Sequence, residues 1–234
     1  MPFVARVSVI MPMDRPGDDA FRAVAAVLEQ KTNVPFELIV VAPFGTSLPQ
    51  AAGIRLVEME ERNPAIRRNA AAREARGEIL AFIDDDAFAA PDWIDKAVTY
   101  LESDPGTVAV GGPDPAPDDS SVGELFADTL LATRWIGSGI AAHENREGVF
   151  PVRKPWDVAL VNLFVRKSAF DAEGGFDESI GYIGEDTDLL RRLAAHGSVV
   201  YHHGVCVFHR RRRFPREYLR QRWRYRVKTG ERLV

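Results

Sequence analysis

A chain of 234 residues, 46% hydrophobic and 27% charged, is large enough for one full core and too apolar to be disordered. Its single cysteine, Cys206, excludes a disulfide framework and suits a reducing compartment. With no signal-like leader between Met1 and Arg6 and no apolar run of bilayer length, a cytoplasmic protein is expected. The net charge of −4 is unevenly spread: from Arg210 onward there are eleven Lys/Arg against Glu217 and Glu231, and the preceding residues hold 19 basic and 32 acidic side chains. The tail is therefore suited to anionic groups such as phosphates, lipid headgroups or nucleic acid.

In chain order, Val4 to Met11 (VARVSVIM) reads as a strand stopped by Pro12. After a Pro16-Gly17 turn, Asp18 or Asp19 caps a helix to about Lys31, with apolar positions at Phe21, Val24, Ala25, Val27 and Leu28. Phe36 to Ala42 (FELIVVA) is a second buried strand and Gly53 to Glu58 a short third. Asn63-Pro64 opens an alanine-rich helix to Arg76, with Asn at the cap and Pro in the first turn, and Gly77 ends it. The apolar run Ile79 to Ile83 is a buried strand that drives into Asp84-Asp85-Asp86. A helix follows from Pro91 to Glu102, then a strand from Thr107 to Val110 into Gly111-Gly112-Pro113, and a loop over Asp114 to Ser121. Val122 to Trp135 is helical, and Ile136 to Trp156, with His143, is a long loop of the kind that often covers a site. Asp157 to Val165 is a strand and Lys167 to Ala172 a short helix. Thr187 to Ala195 is a helix closed by His196-Gly197, Ser198 to His203 and Val205 to Phe208 are strands, and Phe214 to about Thr229 is a basic helix. Continuous apolar strands between amphipathic helices predict a parallel sheet covered on both faces, with ligands at the carboxyl ends of its strands.

Three residue groups can carry chemistry. Asp84, Asp85 and Asp86 at the end of a buried strand repel one another unless a cation compensates, which suits a hard divalent metal; a solvated acidic turn is the plain alternative. Glu185, Asp186 and Asp188 follow Gly184, where carboxylates either cap a helix or act as a general base on a bound hydroxyl. Among His202, His203 and His209, the last ends an apolar run just before the basic segment and is the best candidate to complete a carboxylate metal site. Arg210 to Arg213, then Arg220, Arg222, Arg224 and Arg226 interleaved with Trp223 and Tyr225, suit phosphate oxygens, single-stranded nucleic acid or a membrane interface; a solvated basic helix is the plain alternative.

Together these stretches resemble family 2 glycosyltransferases of the GT-A fold, from Val4 to about Gly230. Val7-Ser8-Val9-Ile10-Met11-Pro12 resembles the family's first strand, and Arg68-Asn69 with Ala75-Arg76-Gly77-Glu78-Ile79-Leu80 its helix-to-strand approach. Asp84-Asp85-Asp86 falls at its DxD-type motif, and Asn162-Leu163 to Gly174-Gly175-Phe176-Asp177-Glu178 at its acceptor-side segment. Gly184-Glu185-Asp186-Thr187-Asp188-Leu189 is similar to its ED motif, and His209 to its late metal-ligand histidine. Two positions depart from the pattern. The second strand ends Val40-Val41-Ala42-Pro43 without the usual acid that reads the nucleotide base, and Asn69-Ala70-Ala71-Ala72 lacks a common glycine.

The resemblance implies an α/β, Rossmann-like GT-A fold with a mostly parallel central sheet, flanking helices and a small acceptor-side subregion. The expected organisation is one domain over 1–209, with a donor half at about 1–112 and an acceptor half at about 113–209, and a basic helical segment over 210–234. It further implies an inverting transfer of a sugar from a nucleotide-diphosphate sugar, UDP favoured, to an acceptor hydroxyl. Asp84, Asp86 and His209 would hold Mn²⁺ or Mg²⁺, Asp186 would be the base and Glu185 its helper. Pro12, Asp14, Arg15, Arg68, Asn69, Asp84, Asp85 and Arg212 would bind the donor. The acceptor would be a saccharide or lipid-linked, with peripheral membrane contact at the inner face through the basic helix and no nucleic acid. A sugar-phosphate nucleotidyltransferase or a non-catalytic nucleotide-sugar or membrane-binding module are the alternatives; the first would want a Gly-rich, basic loop that Met11 to Gly17 does not supply.

Overall fold

Strands β1 (Val7–Pro12), β2 (Phe36–Ala42) and β4 (Ile79–Phe82) are buried almost throughout, as expected of strands covered on both faces. They are the middle of the computed structural model, which describes residues 4–49, 51–133, 146–180, 183–221 and 223. With β3 (Ile54–Glu58), β6 (Thr107–Gly111), β7 (Val149–Pro151), β8 (Leu163–Arg166) and β9 (Ser198–His202) they form one eight-stranded sheet. Its order is β3-β2-β1-β4-β8-β6-β9-β7. Only β8 and β7 run against the rest: β8 is antiparallel to both β4 and β6, and β7 to β9. The strands after residue 112 thus complete the same sheet that the earlier strands begin, with β8 between β4 and β6.

Alternation along the strands splits the core in two. Val7, Val9 and Met11 of β1, with Leu38 and Val40 of β2, pack against helices α1 (Asp18–Leu28) and α3 (Trp93–Ser103). Ile10, Ile39, Leu80 and Phe82 point the other way, onto α2 (Pro64–Glu74), α5 (Lys167–Ala172) and α6 (Glu185–Leu193). The caps follow the sequence: Asn63 Oδ1 accepts the Ala65 N–H at 3.0 Å with Pro64 in the first turn of α2. Ser121 and Glu124 form a reciprocal capping box on α4 (Val122–Ala132). No helix among the described residues is long and apolar enough to cross a membrane.

Several expected boundaries are corrected. Helix α2 ends at Glu74 with Ala75 as its cap, so Gly77 is not its stop signal. Gly77 is required by close approach instead: a Cβ there would lie 2.6 Å from the Ser8 backbone nitrogen. The strand expected over Asp157 to Val165 is mostly two 3₁₀ turns, Pro155–Asp157 and Leu160–Asn162, before β8 begins. Two three-residue strands were not expected, β7 inside the predicted loop Ile136–Trp156 and β5 (Ala87–Ala89). Strand β5 pairs with β10 (Val207–His209) in a separate antiparallel ribbon. Of the basic segment, residues 216–221 are helical. The end of the helix expected to Trp135, the stretch 136–145 with His143, and Arg222, Arg224, Tyr225 and Arg226 lie outside the described residues.

Asn162 explains the interrupted strand. Wholly buried, it accepts from Trp93 Nε1 at 2.8 Å and donates to the carbonyls of Pro113 at 3.0 Å and Val205 at 2.7 Å, tying β8 to the turns after β6 and β9. Replacing it by leucine strands an indole donor and two carbonyls inside the core. Asn162→Leu should lose about 2–3 kcal/mol, seen as a melting temperature lower by about 4–12 °C in a thermal denaturation scan.

Candidate active site

The carboxyl end of β4 delivers Ile83 and then Asp84, Asp85 and Asp86, after which the chain turns into β5. The ribbon with β10 sets His209 opposite Ala87, and the Arg210 N–H donates to the Asp86 carbonyl at 3.0 Å. Two segments more than a hundred residues apart are thereby fixed by backbone pairing. The result is a cluster in which ligand atoms of Asp84, Asp86 and His209 all lie within 4.8 Å of one another. Two carboxylates and an imidazole are a donor set that suits a hard or borderline divalent cation such as Mg²⁺ or Mn²⁺. His209 lies between Asp86 (Nε2 to Oδ1, 3.2 Å) and Asp114 (Nδ1 to Oδ2, 3.5 Å). Burial favours its neutral form, but the two carboxylates outweigh that and raise its pKa to about 9. Burial also pushes Asp86 up, and His209 and Arg212 more than reverse it, leaving its pKa below the usual carboxylate range. Asp85 has no such partner. Burial and the neighbouring Asp86 and Asp84 raise it to about 7, although the Asp14 N–H donates to its Oδ2 at 2.9 Å.

The second acidic group closes the other side. Gly184 stands at the N-cap of α6 with φ +93°, a conformation that favours glycine, and it turns Glu185 and Asp186 into the first helical turn. The buried Arg68 joins the two groups, with its guanidinium 2.8 Å from Asp84 and 3.3 Å from Glu185. Burial raises the Glu185 pKa, Arg68 opposes it, and Asp186 and Asp84 add to it. Asp186 Oδ1 accepts from the Thr187 N–H at 2.7 Å. Both groups line one cleft of about 830 Å³, together with Pro12, Asp14 and Arg212. The cleft can seat a charged ligand between a candidate metal cluster and the Glu185–Asp186 carboxylates.

Two expected donor-binding residues are not brought into this cleft. Asn69 donates to the Phe176 carbonyl at 2.9 Å and the Glu178 carboxylate at 3.0 Å, and accepts from the Phe176 N–H, so its amide clasps the Gly174–Glu178 turn. Arg15 is exposed and does not line the cleft. The arginine run is also divided. Arg210 pairs with Asp19 and Asp119, and the buried Arg211 with Asp114 and Asp128. Arg210, Arg211 and Arg212 all line the cleft, but Arg212, 61% exposed and 4.0 Å from Asp86, is the one not already tied to carboxylates away from the candidate metal cluster. His202 and His203 stay outside: His202 stacks edge-on against Tyr100, and β9 ends at His202 in a turn over His203 and Gly204 before β10 begins. Sequence reasoning missed Arg67. Buried in α2, it donates to the carbonyls of Val41 and Met13 and to the Asp14 carboxylate, beside the place where the usual base-reading acid is missing. It also missed Asp114, whose only signal was its position just after the carboxyl end of β6.

The comparisons identify the family and the fold. The family described as "Glycosyl transferase family 2" matches residues 8–126, and "Glycosyl transferase family group 2" matches residues 79–228. The chain belongs to glycosyl transferase family 2. An O-antigen biosynthesis protein of Myxococcus xanthus is 30% identical over 223 residues, spanning 82% of this chain and 16% of that protein. A glucosyl-dolichyl phosphate glucuronosyltransferase of Haloferax volcanii is 30% identical over 126 residues, 54% of this chain and 38% of that protein. The chain thus spans well under half of either curated relative. Among solved structures, a mannosyltransferase from Pyrobaculum calidifontis in complex with GDP-Man and Mn²⁺ superposes with a TM-score of 0.63 at 21% identity. That match covers 88% of this chain and 56% of the other, and establishes the GT-A fold.

Within this family 2 glycosyltransferase, the two neighbouring arginines should behave oppositely. Arg211→Leu leaves two carboxylates facing a lost partner, one of them fully buried, and should lose about 3–5 kcal/mol of stability. Arg212→Leu should leave the melting temperature within about 1 °C of the parent, since exposed positions carry little stability. Differential scanning fluorimetry of the two variants side by side measures the contrast.

Proposed function

We propose that the protein is an inverting transferase that moves a sugar from a nucleotide-diphosphate sugar to an acceptor hydroxyl by single displacement. The observation that carries this reading is that the Asp84–Asp86–His209 cluster and the Glu185–Asp186 pair line one cleft, joined by Arg68. Asp84, Asp86 and His209 would hold Mn²⁺ or Mg²⁺, and the relative solved with GDP-Man and Mn²⁺ supports a metal of this kind. When bound, such a cation supplies Lewis-acid compensation for charge on the leaving diphosphate. Arg212 would add a charge-assisted contact to the same phosphates. Pro12, Asp14 and Asp85 would meet the nucleoside and sugar on the donor side.

Asp186 is the base in this scheme. Its carboxylate takes the acceptor's proton as the hydroxyl oxygen bonds to the anomeric carbon. The bond from that carbon to the phosphate oxygen breaks on the opposite face, and the nucleoside diphosphate leaves with the electron pair. Attack opposite the leaving group inverts the anomeric centre. Glu185 is tied to Arg68 and so is suited to orienting the acceptor rather than exchanging protons. UDP is the nucleotide the family resemblance favours, and guanine is its rival through the GDP-Man relative. The acceptor would be a saccharide or a lipid-linked glycan, as the names of the two curated relatives suggest for those proteins. A cytoplasmic location belongs to the same reading.

Asp186→Asn should lower transfer by at least about 10³-fold while donor binding changes less than about threefold, measured by product formation and calorimetric titration. Turnover unchanged in that variant would remove the base assignment. His209→Ala should instead weaken Mn²⁺-dependent binding of the donor by at least about tenfold, read by electron paramagnetic resonance of free Mn²⁺. A panel of UDP-, GDP- and TDP-sugars, scored for metal-dependent binding and slow hydrolysis, identifies the donor. Release of nucleoside diphosphate, rather than pyrophosphate or nothing, separates the transferase from its alternatives.

A further inference from the structure

We propose that α4 and the helical segment from residue 216 form a docking face for an anionic lipid bilayer, placing the mouth of the cleft at headgroup level. The docking stands on surface chemistry alone; that it serves a lipid-borne acceptor rests on the proposed transferase reading.

The face is one continuous patch. On α4, Val122 is 85% exposed, and Leu125 and Phe126 are exposed beside it. Phe126 packs edge-to-face on Phe214 with ring centroids 4.7 Å apart, and the Phe214 N–H donates to the Gly123 carbonyl at 3.1 Å. Gly123 permits that approach, since a Cβ there would lie 3.3 Å from the Phe214 carbonyl oxygen. In the following helix Tyr218 turns inward and is buried, while Leu219 and Trp223, four residues apart on one face, are exposed, Trp223 by 70%. A helix that folded only for its own stability would bury such a face, and an exposed apolar patch marks an interaction surface.

Charge identifies the occupant. Arg210 and Arg211 are spent on carboxylates of the fold. Arg213, Arg216 and Arg220 are exposed, and among the described residues no carboxylate lies within ion-pair distance of their guanidinia; the acids nearby are Glu124, which feels the charge of Arg213, and Glu217, which accepts from the Arg213 N–H at 3.2 Å. An apolar strip with an exposed tryptophan, fringed by exposed arginines that outnumber the acids beside them, matches the interface of an anionic bilayer, where aromatic rings sit at headgroup depth and cations meet lipid phosphates. A second copy of the same face would set arginine against arginine. The position of the patch supplies the use: Ala127 and Leu131 of α4, with Tyr218 and Gln221, line the cleft from the inside. The docking face and the cleft wall are therefore two sides of the same two helices, and an acceptor group held at the bilayer surface lies next to the cleft.

The test is co-sedimentation of the protein with vesicles of phosphatidylcholine, with and without phosphatidylglycerol, at low and high salt. Binding should require phosphatidylglycerol and fall with salt. The triple variant Arg213→Gln, Arg216→Gln, Arg220→Gln should lose about a hundredfold in vesicle affinity, at about fivefold per charge. Brominated lipids should quench tryptophan emission, and Trp223→Phe should remove most of that quenching. All these positions are exposed and outside the cleft chemistry, so slow hydrolysis of a soluble nucleotide sugar should stay unchanged. Equal binding to neutral and anionic vesicles, or wild-type binding by the triple variant, overturns the docking face while leaving the transferase standing. A dimer seen by light scattering and dissolved by Trp223→Ala, without vesicle binding, assigns the face to a second copy and overturns it too. Vesicle binding without donor turnover keeps the docking face and counts against the transferase reading alone.

Discussion

The structure depends on how five carboxylates are held together at one edge of the sheet. Asp84, Asp85, Asp86, Asp114 and Glu185 all line the same cleft, and burial penalises the charged form of Asp85, Asp86 and Glu185. Cations and donors are brought in from every side. Arg68 of α2 bridges Asp84 and Glu185, His209 lies between Asp86 and Asp114, and Arg211 pairs with Asp114. Asp85 accepts the Asp14 N–H, and burial with the neighbouring carboxylates raises its pKa to about 7. The residual negative charge is what suits the cleft to a divalent cation.

This compensation explains the path of the chain after β9. A segment dense in arginine would ordinarily sit on the surface as a solvated face. Here its first members are held by acidic side chains of the fold, Arg210 by Asp19 and Asp119, and Arg211 by Asp114 after β6 and Asp128 of α4. The β5–β10 ribbon is the backbone part of the same device. Only three residue pairs long, it sets His209 beside Ala87 in a fixed register, so the metal cluster does not rely on a flexible side chain reaching across a gap.

Much of the fold could be read from residue pattern because its strands are buried on both faces and its helices carry their own caps. The runs VSVIMP, FELIVVA and ILAF leave no choice of exposed side, and Asn63-Pro64 and Ser121 with Glu124 mark helix starts by local chemistry. The illegible parts are those decided by distant partners. Strands β5 and β7 are three residues each, too short for periodicity, and exist because β10 and β9 pair with them. Leu160–Asn162 departs from strand geometry where Asn162 answers Trp93, Pro113 and Val205, none near it in sequence. In the site, the acidic motifs were visible as motifs, but the allotment of four consecutive arginines to different tasks was not. Nor was the turning of Asn69 away from the cleft, because identical or adjacent residue types carry no mark of which carboxylate or carbonyl they will meet.

Helix α4 is where these allotments converge. Its residues fall into three directions fixed by the helical period of 3.6. Ala127 and Leu131 look into the cleft, Asp128 reaches the buried guanidinium of Arg211, and Val122, Leu125 and Phe126 are left on the outer surface beside Phe214. Arg211 in turn lies 3.2 Å from the His209 ring through its own guanidinium. One short helix therefore links the apolar outer face, the wall of the cleft and the residues packed around His209 of the candidate metal cluster. Whatever rests on the outer face bears on the same element that shapes the site, and this follows from the ion pair at Asp128 as much as from packing, because a buried pair resists separation far more strongly than an exposed one.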